Sequence, residues 1–141
     1  MIALRAATLE DCERVWEWNF APDVRAISNA PTVVKLDHHA TWFATRLDAG
    51  AFWIIEVAGF ACGSVRIDGG RISIALAVSA RGRGIGKQAI AAACATWAQP
   101  VTAQVREDNQ PSRAAFEACG FVVDQNASQH ADRVVTYQWR P

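Results

Sequence analysis

The segment 71–98 restricts the fold of this chain more than any other part of its sequence. RISIALA at 71–77 is apolar enough for a buried strand, and the Ala-rich run at about 84–98 predicts a long helix. The turn between them contains three glycines at alternating positions, Gly82, Gly84 and Gly86. A strand that passes directly into a helix indicates a protein in which a sheet and helices pack together.

Short turns separate further elements on both sides of this segment. Ala58-Gly59 and Asp68-Gly69-Gly70 join three strands, which predicts an antiparallel meander. Asp37 is the expected N-cap of the second helix, which Gly50 ends. The predicted strands lie at 2–6, 52–57, 61–67, 71–77, 101–106, 121–125 and 132–139, and the predicted helices at about 8–18, 38–48, 84–98 and 111–119.

The size and composition of the chain are those of one globular domain. It has 141 residues, 51% of them hydrophobic, and a formal net charge of zero. We therefore predict a single domain over 1–141, of the α/β (α+β) class. No basic run indicates nucleic acid, and no apolar stretch of about 18 residues indicates a membrane span. Because the N-terminus lacks the pattern of a signal peptide, we expect a cytoplasmic protein.

The four cysteines are widely spaced and form no CxxC pair. This spacing favours reduced thiols in a protein core over a disulfide framework. A zinc site that uses His38, His39 or His130 is the alternative, but no ligand spacing supports it. We therefore expect no metal.

The turn RGRGIGK at 81–87 has the chemistry of an anion site. Glycines allow positive φ and a close approach of the ligand, and the first amides of the following helix point outward as donors. Arg81, Arg83 and Lys87 add positive charge, so we expect a diphosphate. The spacing excludes the motif GxGxxG, whose last position is Lys87, and a P-loop, because Gln88 follows the lysine. A solvated strand–helix turn is the alternative.

Two motifs in this half of the chain resemble the signatures of the GNAT superfamily of N-acetyltransferases. The first, (Q/R)-x-x-G-x-(G/A), is matched by Arg81, Gly84 and Gly86. The second lies in NQPSRAAFEACGF at 109–121. It is similar to N-x-x-A-x-x-x-Y-x-x-x-G-F, matched at its asparagine and its final Gly-Phe, with Ser112 in the position of the small residue.

This resemblance implies the GNAT fold, a central mixed and mostly antiparallel sheet of about seven strands flanked by about four helices. In this family the strand before the glycine loop carries a β-bulge and splays from the next strand, and the pantetheine arm of acetyl-CoA lies in the gap. The backbone amide of Leu76 or Ala77 would then be an oxyanion donor. The residues that the resemblance assigns to acetyl-CoA are Leu76, Ala77, Val78, Arg81, Gly82, Arg83, Gly84, Ile85, Gly86, Lys87, Asn109 and Phe116.

The chain also departs from the family pattern. Phe116 stands where many members have the tyrosine that protonates the departing thiolate, so another donor or solvent would have to serve. Asn109 would face the coenzyme, although a helix N-cap explains an asparagine before Pro111 as well. The strand 71–77 lacks the glutamate that is often the general base. The candidate bases are therefore His39, Asp68 and Glu56.

The N-terminal half contains the pattern W-x-N…V-R…H-x-x-W-F, which is matched by Asn19, Val24, Arg25, His39, Trp42 and Phe43. It resembles the acceptor side of GNAT enzymes that act on nucleotide-linked amino sugars, such as those of pseudaminic acid biosynthesis. The resemblance implies that Arg25 binds a nucleotide phosphate and that His39 orients or deprotonates the amine, with Asn19 and Trp42 beside them. The alternatives are that Trp42 belongs to the core and that His39 is a surface residue.

The predicted function is transfer of an acetyl group from acetyl-CoA to a primary amine of a small molecule, with an amino group of a nucleotide-linked sugar as the specific acceptor. Protein N-terminal acetylation, as in ribosomal-protein acetyltransferases, is one alternative. A non-catalytic acyl-CoA-binding module is another, because Phe116 replaces the usual tyrosine. We expect no nucleic acid or membrane partner, and either a monomer or a homodimer.

Overall fold

The computed structural model describes residues 1–21, 34–127 and 133–141. The strands in this part of the chain are β1 (Ile2–Ala6), β2 (Phe52–Val57), β3 (Phe60–Asp68), β4 (Arg71–Leu76), β5 (Val101–Arg106), β6 (Val122–Val123) and β7 (Val134–Trp139). The helices are α1 (Cys12–Phe20), α2 (Leu36–Ala49), α3 (Ile85–Trp97) and α4 (Gln110–Ala118). Two 3-10 turns, Leu9–Asp11 and Val78–Ala80, precede α1 and the glycine loop.

The strands form one mixed sheet in the order β1-β2-β3-β4-β5-β7-β6. Neighbouring strands are antiparallel except β4 and β5, which are parallel. The meander β2-β3-β4 follows from the tight turns after β2 and β3, as the glycines there predicted. The fold class expected from the sequence is therefore confirmed.

β4 and β5 are paired at a single position, Arg71 with Thr102. Beyond this position the two strands are not paired. We call the gap between the Leu76 end of β4 and the Arg106 end of β5 the wedge. The splay implied by the resemblance is therefore present. The implied bulge in β4 is not, because β4 pairs with β3 in unbroken register. The register shift lies one strand pair away, between β2 and β3 at Ile55 and Glu56, where β3 has an extra residue.

The sheet separates two groups of buried side chains. Side chains of successive strand residues point to opposite faces, so Phe52 and Ile54 pack against α1 and α2, whereas Ile55 faces α3. The larger group, which includes Ile90 and Tyr137, lies between the sheet and the pair α3 and α4. None of the described helices is long and apolar enough to cross a membrane.

The N-terminal end of α1 is built around Asp11, which is 2% exposed. Its carboxylate accepts the Thr8 amide at 2.8 Å, which confirms the predicted pairing of Thr8 and Asp11. Arg5 donates to both carboxylate oxygens at 2.9 Å, and this bond is the main reason that the pKa of Asp11 is lowered. The first helix is therefore fixed to β1 by a bidentate ion pair.

The prediction that Asp37 caps α2 is wrong by two residues. The N-cap is Lys35, and Asp37 lies in the first turn, where its carboxylate accepts the His38 amide at 2.9 Å. A carboxylate stabilises a helix in its first turn as well as at the cap, so sequence alone does not separate the two positions. The predicted end of α2 is confirmed, because Gly50 adopts a left-handed conformation with φ +87°.

Candidate active site

One wall of the wedge is the backbone of Leu76. Leu76 lies opposite Gly63 in the β3–β4 ladder, and the Ala77 amide donates to the Cys62 carbonyl at 2.8 Å. Because the backbone groups of successive residues alternate between the two sides of a strand, the amide and carbonyl of Leu76 point away from β3. They therefore face the wedge, where the family resemblance implies an oxyanion donor.

Ala77 offers neither its amide nor its carbonyl to the wedge. Its amide is bonded to Cys62, and its carbonyl accepts the Ala80 amide at 2.9 Å. Of the two backbone amides that the resemblance implies, that of Leu76 points away from β3, whereas that of Ala77 is bonded to β3. Val78 follows in the 3-10 turn with 68% of its surface exposed, and it leads the chain into the glycine loop.

Gly63 is a site residue that the sequence analysis missed. A Cβ at this position would lie 2.5 Å from the Ala75 carbonyl oxygen and 2.8 Å from Leu76 Cδ2. Only glycine therefore lets β3 approach β4 this closely beside the wedge. The available signal was a glycine inside an otherwise regular strand, next to the cysteine where the register shifts.

The glycine loop has open space around its backbone. Gly82 and Gly84 have φ of +72° and +74°, and a Cβ on either would meet no atom within 4 Å. Gly84 is the N-cap of α3, so the outward amides of the first helical turn face this space. Gly86 differs, because its Cβ would contact Leu76 Cδ1 at 3.5 Å. This is an ordinary van der Waals distance, so the start of α3 packs directly against the side chains of β4 at Gly86.

The charges around the loop suit an anion. α3 has no acidic residue in its first turn, so nothing there offsets its positive N-terminal dipole. Arg83 and Lys87 are exposed beside the loop amides, and Ile85 is buried beneath them. Arg81 is half-buried and turns back from the loop: its Nη2 donates to the Leu76 carbonyl at 3.1 Å. The loop therefore fits a diphosphate, and the wedge next to it fits an extended arm that needs backbone partners.

Asn109 is the N-cap of α4. Its side-chain oxygen accepts the Ser112 amide at 3.4 Å, which confirms the capping interpretation. Phe116, on the same helix, is 4% exposed, and its ring packs 5.0 Å from that of Phe121 and 6.4 Å from that of Tyr137. Phe116 is thus mainly a core residue, and its assigned contact with a coenzyme remains a prediction.

Tyr137 does not replace the missing phenol. It is fully buried, and its hydroxyl donates to Glu117 Oε2 at 2.5 Å and accepts from Arg113 Nε at 3.0 Å. Burial and the bond to Glu117 raise the pKa of Tyr137. Its hydroxyl fastens α4 to β7, and both of these bonds go to side chains of α4.

His39 is buried between α1 and α2, and not on the surface. Its Nε2 lies 3.1 Å from the Cys12 carbonyl oxygen, and since a carbonyl only accepts, Nε2 carries the proton. The ring packs against Trp42 at 5.4 Å and Phe43 at 5.7 Å, and burial lowers the pKa of His39. A neutral ring with an unprotonated Nδ1 is therefore the stable form in this setting.

Trp42 is half-buried and lies under a cation. The guanidinium of Arg66, on β3, sits 4.8 Å from the centre of the Trp42 ring. The structure thus brings His39, Trp42 and Arg66 together on the sheet face that α1 and α2 cover. Asn19 is half-buried in the last turn of α1, whereas Arg25 and Val24 lie outside the described residues.

The other two candidate bases are held in ion pairs. Asp68 Oδ1 accepts from Arg46 at 2.7 Å, and Glu56 accepts from Arg5 at 3.1 Å. Asp68 lies opposite Arg71 at the start of β4, five residues from Leu76 at the other end. At about 3.3 Å per residue this separation is about 17 Å, which removes Asp68 from chemistry at the wedge.

Among the described residues, no group of three or more His, Cys, Asp or Glu side chains could hold a metal ion. The described cysteines are all free thiols.

Comparison with known proteins gives a family and a set of similar structures. The sequence profile described as "Acetyltransferase (GNAT) domain" matches residues 2–122. No curated protein sequence matches the chain.

Three of the similar solved structures show how far the fold extends. Spermidine N-acetyltransferase from Vibrio cholerae, in complex with CoA and spermine, has a TM-score of 0.84 at 16% identity, covering 98% of this chain and 94% of that one. The yncA protein of Salmonella typhimurium, solved with its cofactor acetyl-CoA, has a TM-score of 0.78 at 18% identity, with coverage of 99% and 94%. Ribosomal-protein-alanine N-acetyltransferase from Brucella melitensis has a TM-score of 0.74 at 21% identity, with coverage of 99% of both chains.

Proposed function

Because this chain belongs to the acetyltransferase (GNAT) domain family, and is thus an acetyl-CoA-dependent N-acetyltransferase, we propose that it acetylates a primary amine of a small molecule that carries a nucleotide. The single observation that carries the acetyl-CoA-dependent reaction is the junction of the wedge and the glycine loop. It places backbone donors for an arm and for a diphosphate next to each other.

Different residues are proposed to bind different parts of the coenzyme. The loop amides from Gly82 to Lys87, with the charges of Arg83 and Lys87, would hold the diphosphate, and the Leu76 backbone would bind the arm in the wedge. The coenzyme supplies the activated acetyl group. The Leu76 amide would donate to the acetyl oxygen as negative charge develops on it, which is the largest contribution that this chain's backbone can make to the rate.

The acceptor is proposed to lie on the α1 and α2 side of the sheet. α1 packs across β3 and β4, and Trp42 with the Arg66 guanidinium forms an aromatic face beside a fixed positive charge. A nucleotide offers a base for the first and a phosphate for the second. Asn19 and Arg25 are proposed to contribute from the same side.

A panel of acceptors with acetyl-CoA tests the proposal, with free thiol as the readout. We expect thiol release with a nucleotide-linked amino sugar and much less with the matched free amino sugar, which lacks the nucleotide. Turnover with ribosomal-protein N-terminal peptides alone would reject the small-molecule acceptor in favour of protein acetylation. Acetyl-CoA binding without thiol release on any acceptor would reject catalysis and leave a binding module.

We also propose that His39 takes part in turnover, since its lowered pKa keeps it neutral at physiological pH. We expect His39→Ala to reduce kcat by about 10²-fold or more, the usual contribution of a general base, while the Kd for coenzyme A stays unchanged. His38→Ala is the matched control, because His38 is the exposed neighbour on the same turn. Near-normal kcat in a folded His39→Ala protein would remove His39 from the mechanism.

A further inference from the structure

Arg81 is oriented differently from the other two cations of the loop. Arg83 and Lys87 are exposed, whereas Arg81 is half-buried and its Nη2 lies 3.1 Å from the Leu76 carbonyl oxygen. From its place in the motif, Arg81 was expected to join the diphosphate site. The structure instead places its guanidinium at the wedge.

The bonded carbonyl fixes where this charge lies. The amide and carbonyl of an extended residue point to the same side of the strand, so the Leu76 amide faces the wedge beside the carbonyl that holds Arg81. The positive charge is therefore adjacent to the one backbone donor that the geometry assigns to the acetyl oxygen.

Resting on the proposed function, we propose that the Arg81 guanidinium stabilises the coenzyme thiolate that leaves during acetyl transfer. The amine nitrogen forms a bond to the acetyl carbon, the carbon–sulfur bond breaks, and sulfur departs with the electron pair. The amine loses its proton to a base or to water. The guanidinium keeps all its protons and supplies charge only.

This role is consistent with the absence of a phenol at the expected place. Phe116 cannot donate a proton, and Tyr137 is fully buried and bonded to Glu117 and Arg113. A leaving thiolate that is stabilised by a permanent cation does not need a proton in the transition state. An arginine is suited to this task because it stays charged at every pH at which the protein is folded.

A second cation lies at the far end of β5, on the other side of the wedge. Arg106 is paired there with Asp108 at 2.8 Å, so a carboxylate offsets its charge.

The described thiols near the wedge do not supply a positive charge. Cys62, on β3, has its pKa raised by burial and stays a neutral thiol. Cys119, at the end of α4, donates to the Lys87 carbonyl at 3.3 Å, and burial raises its pKa as well. Arg83 and Lys87 are the other described cations on the loop and α3, both are exposed, and a variant of Arg83 provides the comparison with Arg81.

The test is the ionisation of the thiol of bound coenzyme A, which requires no acceptor and no turnover. The ultraviolet absorbance of the thiolate is followed as a function of pH on the saturated complex. A complex with S-methyl coenzyme A is subtracted to remove the protein's own cysteines. In the wild type we expect the bound thiol to half-ionise at a pH about one unit below that of free coenzyme A, as one nearby opposite charge produces.

Two variants of Arg81 test whether this cation causes the lower half-ionisation pH of the bound thiol. Arg81→Gln is expected to return the half-ionisation pH to that of free coenzyme A, and Arg81→Lys to keep most of the difference. Arg83→Gln is the matched control in the same loop: we expect weaker coenzyme binding but the same thiol ionisation as in the wild type.

Several results would overturn the proposal. A bound thiol that ionises like free coenzyme A in the wild type rejects it without any variant. Equal effects of Arg81→Gln and Arg83→Gln would assign the charge to the loop as a whole and not to Arg81. No binding of coenzyme A to the wild type, by calorimetry, would reject the proposed function itself and the role of Arg81 with it.

Discussion

At the scale of single residues, a comparison of Gly84 with Gly59 distinguishes a structural from a functional requirement for glycine. Gly84 in the loop and Gly59 in the β2–β3 turn have φ of +74° and +82°, and neither would crowd a Cβ. An alanine at a left-handed position costs about 1–2 kcal/mol. The two positions therefore carry a similar strain, but only one of them faces the proposed diphosphate.

We predict that Gly84→Ala and Gly59→Ala lower the free energy of unfolding by a similar amount, about 1–2 kcal/mol. Only Gly84→Ala should weaken coenzyme A binding, by about tenfold or more, because its Cβ enters the space of the ligand. Urea unfolding and calorimetry measure the two effects. Equal coenzyme affinity in both variants would contradict the assignment of the loop.

His39 gives a prediction on pH. Burial lowers its pKa in the folded state, and Arg66 and the Cys12 carbonyl act on it from β3 and α1. The folded protein thus resists protonation more than the unfolded chain, whose histidine has a pKa of about 6.5. Stability should be complete above about pH 6.5 and fall as the pH decreases through the lower folded pKa.

Urea unfolding at a series of pH values checks this dependence. His39→Gln should flatten the acid part of the curve, whereas His38→Gln, which alters an exposed residue, should leave it unchanged. An identical slope in the wild type and in His39→Gln would show that other groups cause the loss of stability at acidic pH.

At the scale of elements, the pairing of β3 and β4 depends on one missing side chain. We predict that Gly63→Ala displaces Leu76 and lowers kcat by at least tenfold, with a stability loss of about 1–3 kcal/mol from overpacking. Activity and thermal unfolding of the purified variant measure the two effects.

The double variant Gly63→Ala with Leu76→Ala identifies the group that clashes. It removes the side-chain contact at 2.8 Å but keeps the carbonyl contact at 2.5 Å, so we expect no rescue. Recovery of kcat in the double variant would show that the Leu76 side chain, and not the strand backbone, is what glycine protects.

The elements themselves were largely predictable because their signals are local. The turns at Gly50 and Gly120, the strands β2 and β5 and the long helix α3 follow from apolar pattern and glycine position. The start of α2 was missed because Asp37 fits the cap and the first turn equally. The location of the bulge was missed because it depends on how β2 and β3 align, which no single strand encodes.

The candidate site was predictable only where it consists of backbone. Glycines reveal the loop, and the family resemblance placed Leu76 at the end of the strand before it. The direction of the Arg81 side chain, the burial of His39 and the contact of Arg66 with Trp42 arise from tertiary packing between elements distant in sequence. A motif predicts the position of a charged residue in the chain, but not the direction in which its side chain points.

At the scale of the whole molecule, the site joins the two parts of the sheet on either side of the wedge. A ligand that binds only the folded form stabilises it by about 2.7 kcal/mol at 100 times its Kd. We predict that coenzyme A at that concentration raises the free energy of unfolding by this amount. At the same concentration the gain should fall to about 1.4 kcal/mol or less in Gly84→Ala, whose coenzyme binding is expected to be tenfold weaker or more, measured by thermal unfolding with and without the ligand. No gain in the wild type would contradict binding to the native fold.

The single paired position between β4 and β5 has a consequence for the evolution of this chain. A variant whose two strands paired along their full length would gain main-chain hydrogen bonds and become more robust. It would also close the wedge in which the coenzyme arm is proposed to bind. Selection for stability and selection for turnover would therefore act in opposite directions on the same few residues. In this chain the two strands have stayed unpaired over most of their length.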